Sequence, residues 1–300
     1  MLSLCMVQVK FDKRKYGREL LVDCFHLSEI AGKNLLSGQV YTISFYEIYL
    51  ISEGKGSVTL ETEVIDFNGP SVIFLSPAQP RKWDIQIVPD CMMLIFEGEF
   101  IEAFLKDSMF LSRLYYFGNY NCSQFVPIDS IENERYKLLF GWIMSEIKNL
   151  VEDSQHLLRA YLYELLILLN RKFTAHNQLK GNLYWNTDMI RFKKLLKEHI
   201  KDRQTVREYA DMLQMNRNRF SQLCRDTFGK DAQTLIRNEL AQTCKYELIS
   251  TAKTIAEISY EYNFSAPSNF VRFFKSIVGC YPAVYREQYG NWGSLPAGKS

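Results

Sequence analysis

The sequence predicts an α+β protein of two domains: a small β-barrel or sandwich with trailing helices, then an all-α domain. Three observations predict it. Strand-type runs punctuated by turn residues fill the chain to about residue 125. Helical periodicity replaces them near Ile131. In the C-terminal third, one helical pattern occurs twice.

The strand region is rich in Tyr, Ile, Val, Phe and Thr from Tyr41 to Phe96. Tyr46–Ile51 runs into Glu53-Gly54-Lys55-Gly56, and Ser57–Thr62 follows. This spacing predicts a hairpin with glycines at the positive-φ positions. Val64–Phe67, the turn Asn68-Gly69-Pro70 and Ser71–Leu75 predict a second strand pair, ended by Pro77 and Pro80. Trp83–Val88 and Cys91–Phe96 read as two further strands. Beyond Ile131, Leu139, Trp142, Ile143, Ile147 and Leu150 recur at helical spacing. In the next helix Leu157, Tyr161, Leu165 and Leu168 form one stripe, widened by Leu158, Leu162, Leu166 and Leu169. So broad an apolar surface suggests burial on more than one side: it reads as an ordinary core helix or as a helix shared with a second subunit, where an antiparallel pairing of two copies through Leu158 and Leu162 would bury the excess leucines. The first domain is thus placed at residues 1–173 and a polar linker at 174–186. A helical domain follows at 187–290, and a Gly- and Ser-containing flexible tail at 291–300.

The repeat compares VREYADMLQMNRNRFSQLCRDTFG, from Val206, with IAEISYEYNFSAPSNFVRFFKSIVG, from Ile255. Small residues match at Ala210 and Ser259, and apolar ones at Met215 and Phe264. After a one-residue difference, Phe220 answers to Phe270, Arg225 to Lys275 and Gly229 to Gly279. Each copy reads as helix, tight turn, helix, at about 206–227 and 254–277. Thr205 and Thr254 stand as N-caps, Pro267 opens the last long helix, and the glycines provide left-handed stops. A connecting helix over Thr234–Ile249 would span ~24 Å at ~1.5 Å per residue. With the widths of the flanking units added, the two second helices stand about one DNA turn apart, ~34 Å.

Charge agrees with this assignment. Formal net charge is only +2, but residues 187–290 hold 17 Lys and Arg against 12 Asp and Glu. Ten basic residues face four acidic ones between Arg191 and Arg225. A local basic field suits a polyanion. The seven cysteines, at 5, 24, 91, 122, 224, 244 and 280, are single and show no CxxC spacing. They argue against a disulfide framework or zinc site and for a reducing cytoplasm. The longest apolar stretch, Tyr161–Leu169, is interrupted by Glu164 and too short to span a membrane, and no signal peptide is read. His26, His156, His176 and His199 form no HxH cluster, so no metal or other cofactor is expected. No GxSxG, GxxxxGK or GxGxxG stands in the chain, and no enzyme activity is expected.

The segment Thr254–Arg286 carries Ile255, Glu257, Ile258, Asn263-Phe264, Ser268, Phe270, Arg272, Phe274-Lys275, Gly279, Pro282 and Tyr285-Arg286. In these residues the C-terminal third resembles the DNA-binding domain of the AraC/XylS family of bacterial transcription regulators. The first unit departs from the family pattern with Cys224 before Arg225, and with Glu239 where a basic residue is usual. The resemblance implies a cytoplasmic, sequence-specific regulator of double-stranded DNA. It implies a cupin-like sensing and dimerisation domain over the strand region. A homodimer through that domain, a small effector and RNA polymerase are the other partners it suggests. Tyr41, Tyr46, Tyr49, Lys82 and Trp83 are candidates to line an effector pocket. By the family pattern Asn218, Ser221 and Gln222 face bases in the first unit, and Ser268, Asn269 and Arg272 lie outward in the second. Arg217, Arg219, Arg225, Lys253 and Lys275 are phosphate candidates, and Lys193, Lys194 and Lys197 add sequence-independent attraction. Phe264, Phe270, Phe273 and Phe274 read as internal. The alternative is a cupin-type small-molecule binder or enzyme with a helical appendage, which stoichiometric bound metal would favour.

Overall fold

A computed structural model describes residues 7–9, 11–29, 40–60, 63–77, 79–117, 123–179 and 187–289. The tail and most of the linker lie outside these residues. The chain divides into two compact units, Val7–Leu183 and Tyr184–Ser300.

The first unit is built on an eight-stranded sheet. Its strands are β1 (Val7–Val9), β2 (Val22–His26), β3 (Tyr41–Ile43), β4 (Tyr46–Leu60), β5 (Glu63–Asn68), β6 (Ser71–Leu75), β7 (Arg81–Phe96) and β8 (Phe125–Pro127). The path runs β1-β3-β7-β4-β6-β8, with β2 also on β7 and β5 also on β4. Two expectations are corrected here. The glycines at 54 and 56 make no hairpin, because β4 runs straight through them, and Trp83–Val88 and Cys91–Phe96 belong to the single strand β7. β4 and β7 pair along their lengths, with register shifts between Ile51 and Gly56. Gly54 sits there at φ +124°, where a Cβ would lie 2.6 Å from Pro89 Cα. Pro89, with no N–H to donate, falls in the stretch of β7 that the shifts leave unpaired. Gly and Pro therefore bend two long strands rather than end them. The hairpin from β4 lies later, where Leu60 pairs with Glu63. The turn at Gly69, φ +90°, stands where expected.

The bend curls the sheet over itself. Tyr49, Ile51, Ile73, Leu75 and Met93 from one half share a buried cluster with Val58, Ile65, Phe67, Trp83 and Tyr41 from the other. The opposite face of the first half, with Ile48, Leu50, Phe74, Leu94 and Phe96, packs against helices. These are the short α1 (Glu99–Leu105) and α2 (Phe110–Arg113), not read from the sequence, and α3 (Ser130–Lys148) and α4 (Ser154–His176). Asp129 and Glu132 close a reciprocal capping box at the start of α3. Tyr136, Leu139, Phe140, Ile143 and Ile147 then face inward at helical spacing. On α4 the inward stripe is Leu158, Leu162, Leu165, Leu166, Leu169 and Phe173, each without exposed surface. Leu158 and Leu162 therefore belong to the chain's own core and are not free to pair with a second copy. Apolar residues left outside include Leu157 on α4 with Ile131, Leu138 and Trp142 on α3. α4 continues to His176, so the linker begins later than its polar composition suggested.

The second unit is all-helical: α5 (Thr187–His199), α6 (Val206–Met212), α7 (Arg217–Phe228), α8 (Ala232–Ser250), α9 (Ile255–Glu261), α10 (Pro267–Val278) and α11 (Pro282–Tyr289). Among the described residues no helix is long and apolar enough to cross a membrane.

Candidate nucleic-acid interface

The two copies of the repeat fold alike because the same backbone problems are solved by equivalent residues. Thr205 opens α6 and Thr254 opens α9, each in a reciprocal capping box, with Glu208 and Glu257 respectively. Burial pushes the Glu208 carboxyl up, but hydrogen bonds from the Thr205 side chain and nearby backbone outweigh it and leave it below its usual range; backbone and side-chain bonds from Thr254 lower Glu257 likewise. Ala210 and Ser259, both buried, leave room for the second helix to cross. The turn then passes through the left-handed region at Gln214 (φ +58°) and Asn263 (φ +56°). The next N–H returns to the first helix, Met215 to Ala210 O and Phe264 to Ser259 O, both at 3.0 Å. Gln214 carried no signal in the sequence. Asn263 did, as a residue that tolerates this conformation.

The second helices start differently. Asn216 caps α7 by accepting the Arg219 N–H at 2.8 Å. α10 has no side-chain cap and starts on Pro267. Both end on glycine in the left-handed region, Gly229 at +68° and Gly279 at +86°. Nothing lies within 4 Å of a Cβ at either, so conformation and not space selects glycine there. Phe220 and Phe270 anchor the helices with no exposed surface. Phe274 is also buried, whereas Phe264 and Phe273 are half-buried.

This anchoring turns the polar faces outward. On α7, Arg217, Asn218, Arg219, Gln222 and Arg225 are exposed and Ser221 is half-buried. Gln222 accepts from Arg225 at 3.0 Å and donates to Asp226 at 2.8 Å. On α10, Ser268, Arg272 and Lys275 are exposed and Asn269 is half-buried. Asn269 donates to Ser265 Oγ at 2.7 Å and accepts from Arg272 at 2.5 Å, which holds the Arg272 guanidinium along the helix face. Lys275 donates to the Tyr281 hydroxyl at 2.9 Å and lies 4.1 Å from that ring's centroid. α8 reaches the same helix through Arg237, which donates to Ser276 Oγ at 3.1 Å and stacks on Phe273.

Two cations stand elsewhere than expected. Lys253 is paired with Glu247 at 3.1 Å and Glu261 at 2.6 Å. Two carboxylates of its own unit thus engage the ammonium of Lys253, which the sequence offers as a phosphate candidate. Lys193 is half-buried, with its ammonium 5.4 Å from the Phe228 ring, and burial pulls its pKa down. Lys194 and Lys197 are exposed.

The sheet unit holds the effector candidates. Tyr41, Tyr49 and Trp83 meet inside the curled sheet, with Trp83 Nε1 donating to Tyr41 Oη at 3.1 Å. Tyr46 lies on the other face, stacked on Phe96 toward the helices. Lys82 is exposed, because strand alternation sends it outward. The inward position is its neighbour Arg81, fully buried and ion-paired with buried Glu47. Neither was read from the sequence. Period-2 alternation from Trp83 back to Arg81, and from Tyr49 back to Glu47, was the signal that could have found both. His26 ends β2, His156 and His176 lie at opposite ends of α4, and His199 ends α5. Among the described residues no group of three or more His, Cys, Asp or Glu could hold a metal ion.

Comparison with known proteins gives three kinds of match. A helix-turn-helix domain model matches residues 209–288. The Msm operon regulatory protein of Streptococcus mutans serotype c is 24% identical over 253 residues, covering 82% of this chain and 85% of that protein. Among solved structures, ToxT from Vibrio cholerae aligns at 14% identity and TM-score 0.45, over 88% of this chain and 96% of that one. The DNA-binding domain of AdpA, in complex with a target DNA, aligns at 20% identity and TM-score 0.32, over 34% and 92%. The paired capped units define a helix-turn-helix DNA-binding transcription regulator. The motif of Thr254–Arg286 is in place on α9, α10 and α11, and there the helical unit is similar to the AraC/XylS regulators.

Proposed function

We propose that the protein sets α7 and α10 into two successive major grooves on one face of double-stranded DNA. The observation that supports this reading is the repeat itself: two equivalent second helices on one chain, each with a buried phenylalanine behind and a polar face in front. Asn218, Ser221 and Gln222 read bases from α7; Ser268, Asn269 and Arg272 read them from α10. Arg217, Arg219, Arg225 and Lys275 hold phosphates. Footprinting of the full-length protein on a duplex selected from a randomised pool should show two protected patches about 10 bp apart. A single patch would refute the two-groove reading.

Arg272 and Lys275 divide the labour on α10. Asn269 pre-orients the Arg272 fork, which can meet guanine O6 and N7 together. Lys275 lies one turn further on and offers a point charge. Arg272→Ala should cost about 1–3 kcal/mol on the preferred site and relax preference at one base pair. Lys275→Ala should weaken all sequences alike and lower the salt slope by about one unit. Binding isotherms on matched and base-substituted duplexes at several salt concentrations check both. Equal weakening on both duplexes by Arg272→Ala would make it a phosphate contact.

Dimerisation belongs to the same reading, through the outer face of α3 and α4. Leu138, Trp142 and Leu157 are exposed there, and the Trp142 and Tyr161 rings meet at 5.7 Å. Trp142→Glu with Leu157→Glu should convert a dimer into a folded monomer in sedimentation. A wild-type protein already monomeric at micromolar concentration would refute this. A small effector held in the sheet unit and contact with RNA polymerase complete the reading of a non-catalytic regulator in the cytoplasm.

A further inference from the structure

Lys253 opens onto a closed set of four charges within the helical unit. Lys201 lies just past α5, in the segment leading to α6. Glu247 is in the last turn of α8, Lys253 lies between α8 and α9, and Glu261 ends α9. Each carboxylate takes both ammonium groups. Glu247 meets Lys201 at 3.4 Å and Lys253 at 3.1 Å; Glu261 meets each at 2.6 Å. Glu247 is largely buried, at 12% side-chain exposure, and also accepts the Tyr262 hydroxyl at 3.3 Å.

Neutral bonds run beside this ring. Asn263, the left-handed residue in the turn of the second helix-turn-helix, donates to Lys201 O at 3.2 Å. Gln204, next to the Thr205 cap of the first, donates to Tyr262 O at 2.5 Å. The turn of the second unit is thus fastened to the start of the first. The second unit also packs along α8, where Arg237 bonds Ser276 Oγ and Arg286 bonds Leu248 O, so these bonds supply the direct tie that keeps α9 from shifting against the start of the first unit. An isolated exposed ion pair contributes little stability. Four alternating charges, each held by two partners, keep that tie in one geometry.

We propose that Lys201, Glu247, Lys253 and Glu261 are positioning residues that fix the interval between α7 and α10, and so make the protein selective for the spacing between the two base-reading patches of its DNA site. None of the four touches DNA in this role. The proposal rests on the reading above that both helices engage DNA at once. One inserted base pair moves a patch by about 3.4 Å and turns it by about 35°. A locked pair of helices cannot follow that displacement, whereas a pivoting pair follows part of it.

The test uses full-length protein and the best duplex selected from a randomised pool, with one base pair inserted or deleted between its two protected patches. Wild-type protein should bind the altered duplexes at least about tenfold more weakly. Glu247→Gln with Glu261→Gln should keep the same base preferences while that ratio falls to about threefold or less. The conservative control is Lys201→Arg with Lys253→Arg, which should retain the wild-type ratio. If the glutamine variant does not fold, Lys201→Met with Lys253→Met removes the same pairs and should lower the ratio equally. A loss of stability with an unchanged spacing ratio would overturn the proposal. Wild-type binding that ignores spacing would instead overturn the two-groove reading beneath it.

Discussion

Arg81→Met is expected to destabilise the sheet unit by about 3–5 kcal/mol, the loss typical of breaking a buried pair by removing one partner. Arg81 is fully buried on β7 and its guanidinium is ion-paired with Glu47 on β4. It also donates to Ser76 O at 2.8 Å and twice to Gln79 O at 3.1 Å, which ties down the connection between β6 and β7. Methionine fills much of the volume but leaves a carboxylate and two carbonyls without their donor. The loss should depend on pH. Burial already raises the Glu47 pKa, and Arg81 opposes that rise. Without Arg81 the folded-state pKa climbs further, so folded Glu47 holds a proton where the unfolded chain has lost it. Stability then falls as pH rises through the folded pKa, and the deficit is smaller in acid than at pH 8. Urea denaturation of the full chain, followed by tryptophan fluorescence with Trp185 and Trp292 replaced by Phe so that the signal comes from the sheet unit, reads the effect. Glu47→Leu with Arg81→Met should recover most of the loss, since an apolar replacement of both partners leaves no orphaned charge. An equal deficit at both pH values would show that volume, not charge, sets the loss.

How much of this was legible in the sequence follows from how local each determinant is. The helical unit is specified by short-range rules: Thr205 and Thr254 as caps, Pro267 at a helix start, Gly229 and Gly279 as stops. These act within a few residues, and their repetition exposes them. The sheet unit is specified by partners far away in the chain. Gly54 has turn chemistry, yet its φ of +124° serves a bend opposite Pro89, and only the β4–β7 register shows that. Glu47 and Arg81 are 34 residues apart, and a buried ion pair leaves no local trace. The leucines of α4 show the same limit. Periodicity marks an apolar face, but only packing separates Leu158, which is buried, from Leu157, which is 42% exposed. Even in the helical unit the feature without a local trace is longer-range: Glu247 and Glu261 pair with Lys253 and Lys201, and no spacing in the sequence marks that ring.

Phe270→Ala is expected to cost about 3–5 kcal/mol and to abolish sequence-specific binding, although Phe270 itself faces away from any DNA. Its ring has no exposed surface and meets Phe264 at 5.3 Å and Phe274 at 5.8 Å. Phe274 passes the contact on to Tyr285 of α11 at 5.5 Å. This short chain of rings is what seats α10, because α9 and α10 are 7 and 12 residues long and neither would be stable as an isolated helix. A cavity there releases α10, and Ser268, Asn269 and Arg272 lose their common orientation together. Phe270→Leu keeps most of the volume and should cost less than about 1.5 kcal/mol, with base preference retained. The sheet unit is a separate compact unit, so its own unfolding transition should not move in either variant. Urea denaturation read by far-ultraviolet circular dichroism, and by tryptophan fluorescence in a Trp185→Phe, Trp292→Phe background that leaves only the sheet unit's tryptophans, separates the two units, and isotherms on the selected duplex read binding. Arg272→Ala, by contrast, should leave both transitions in place and change base preference alone. A Phe270→Ala protein that still discriminates the matched duplex would mean that α7 carries recognition unaided, and α10 would then serve only to position it.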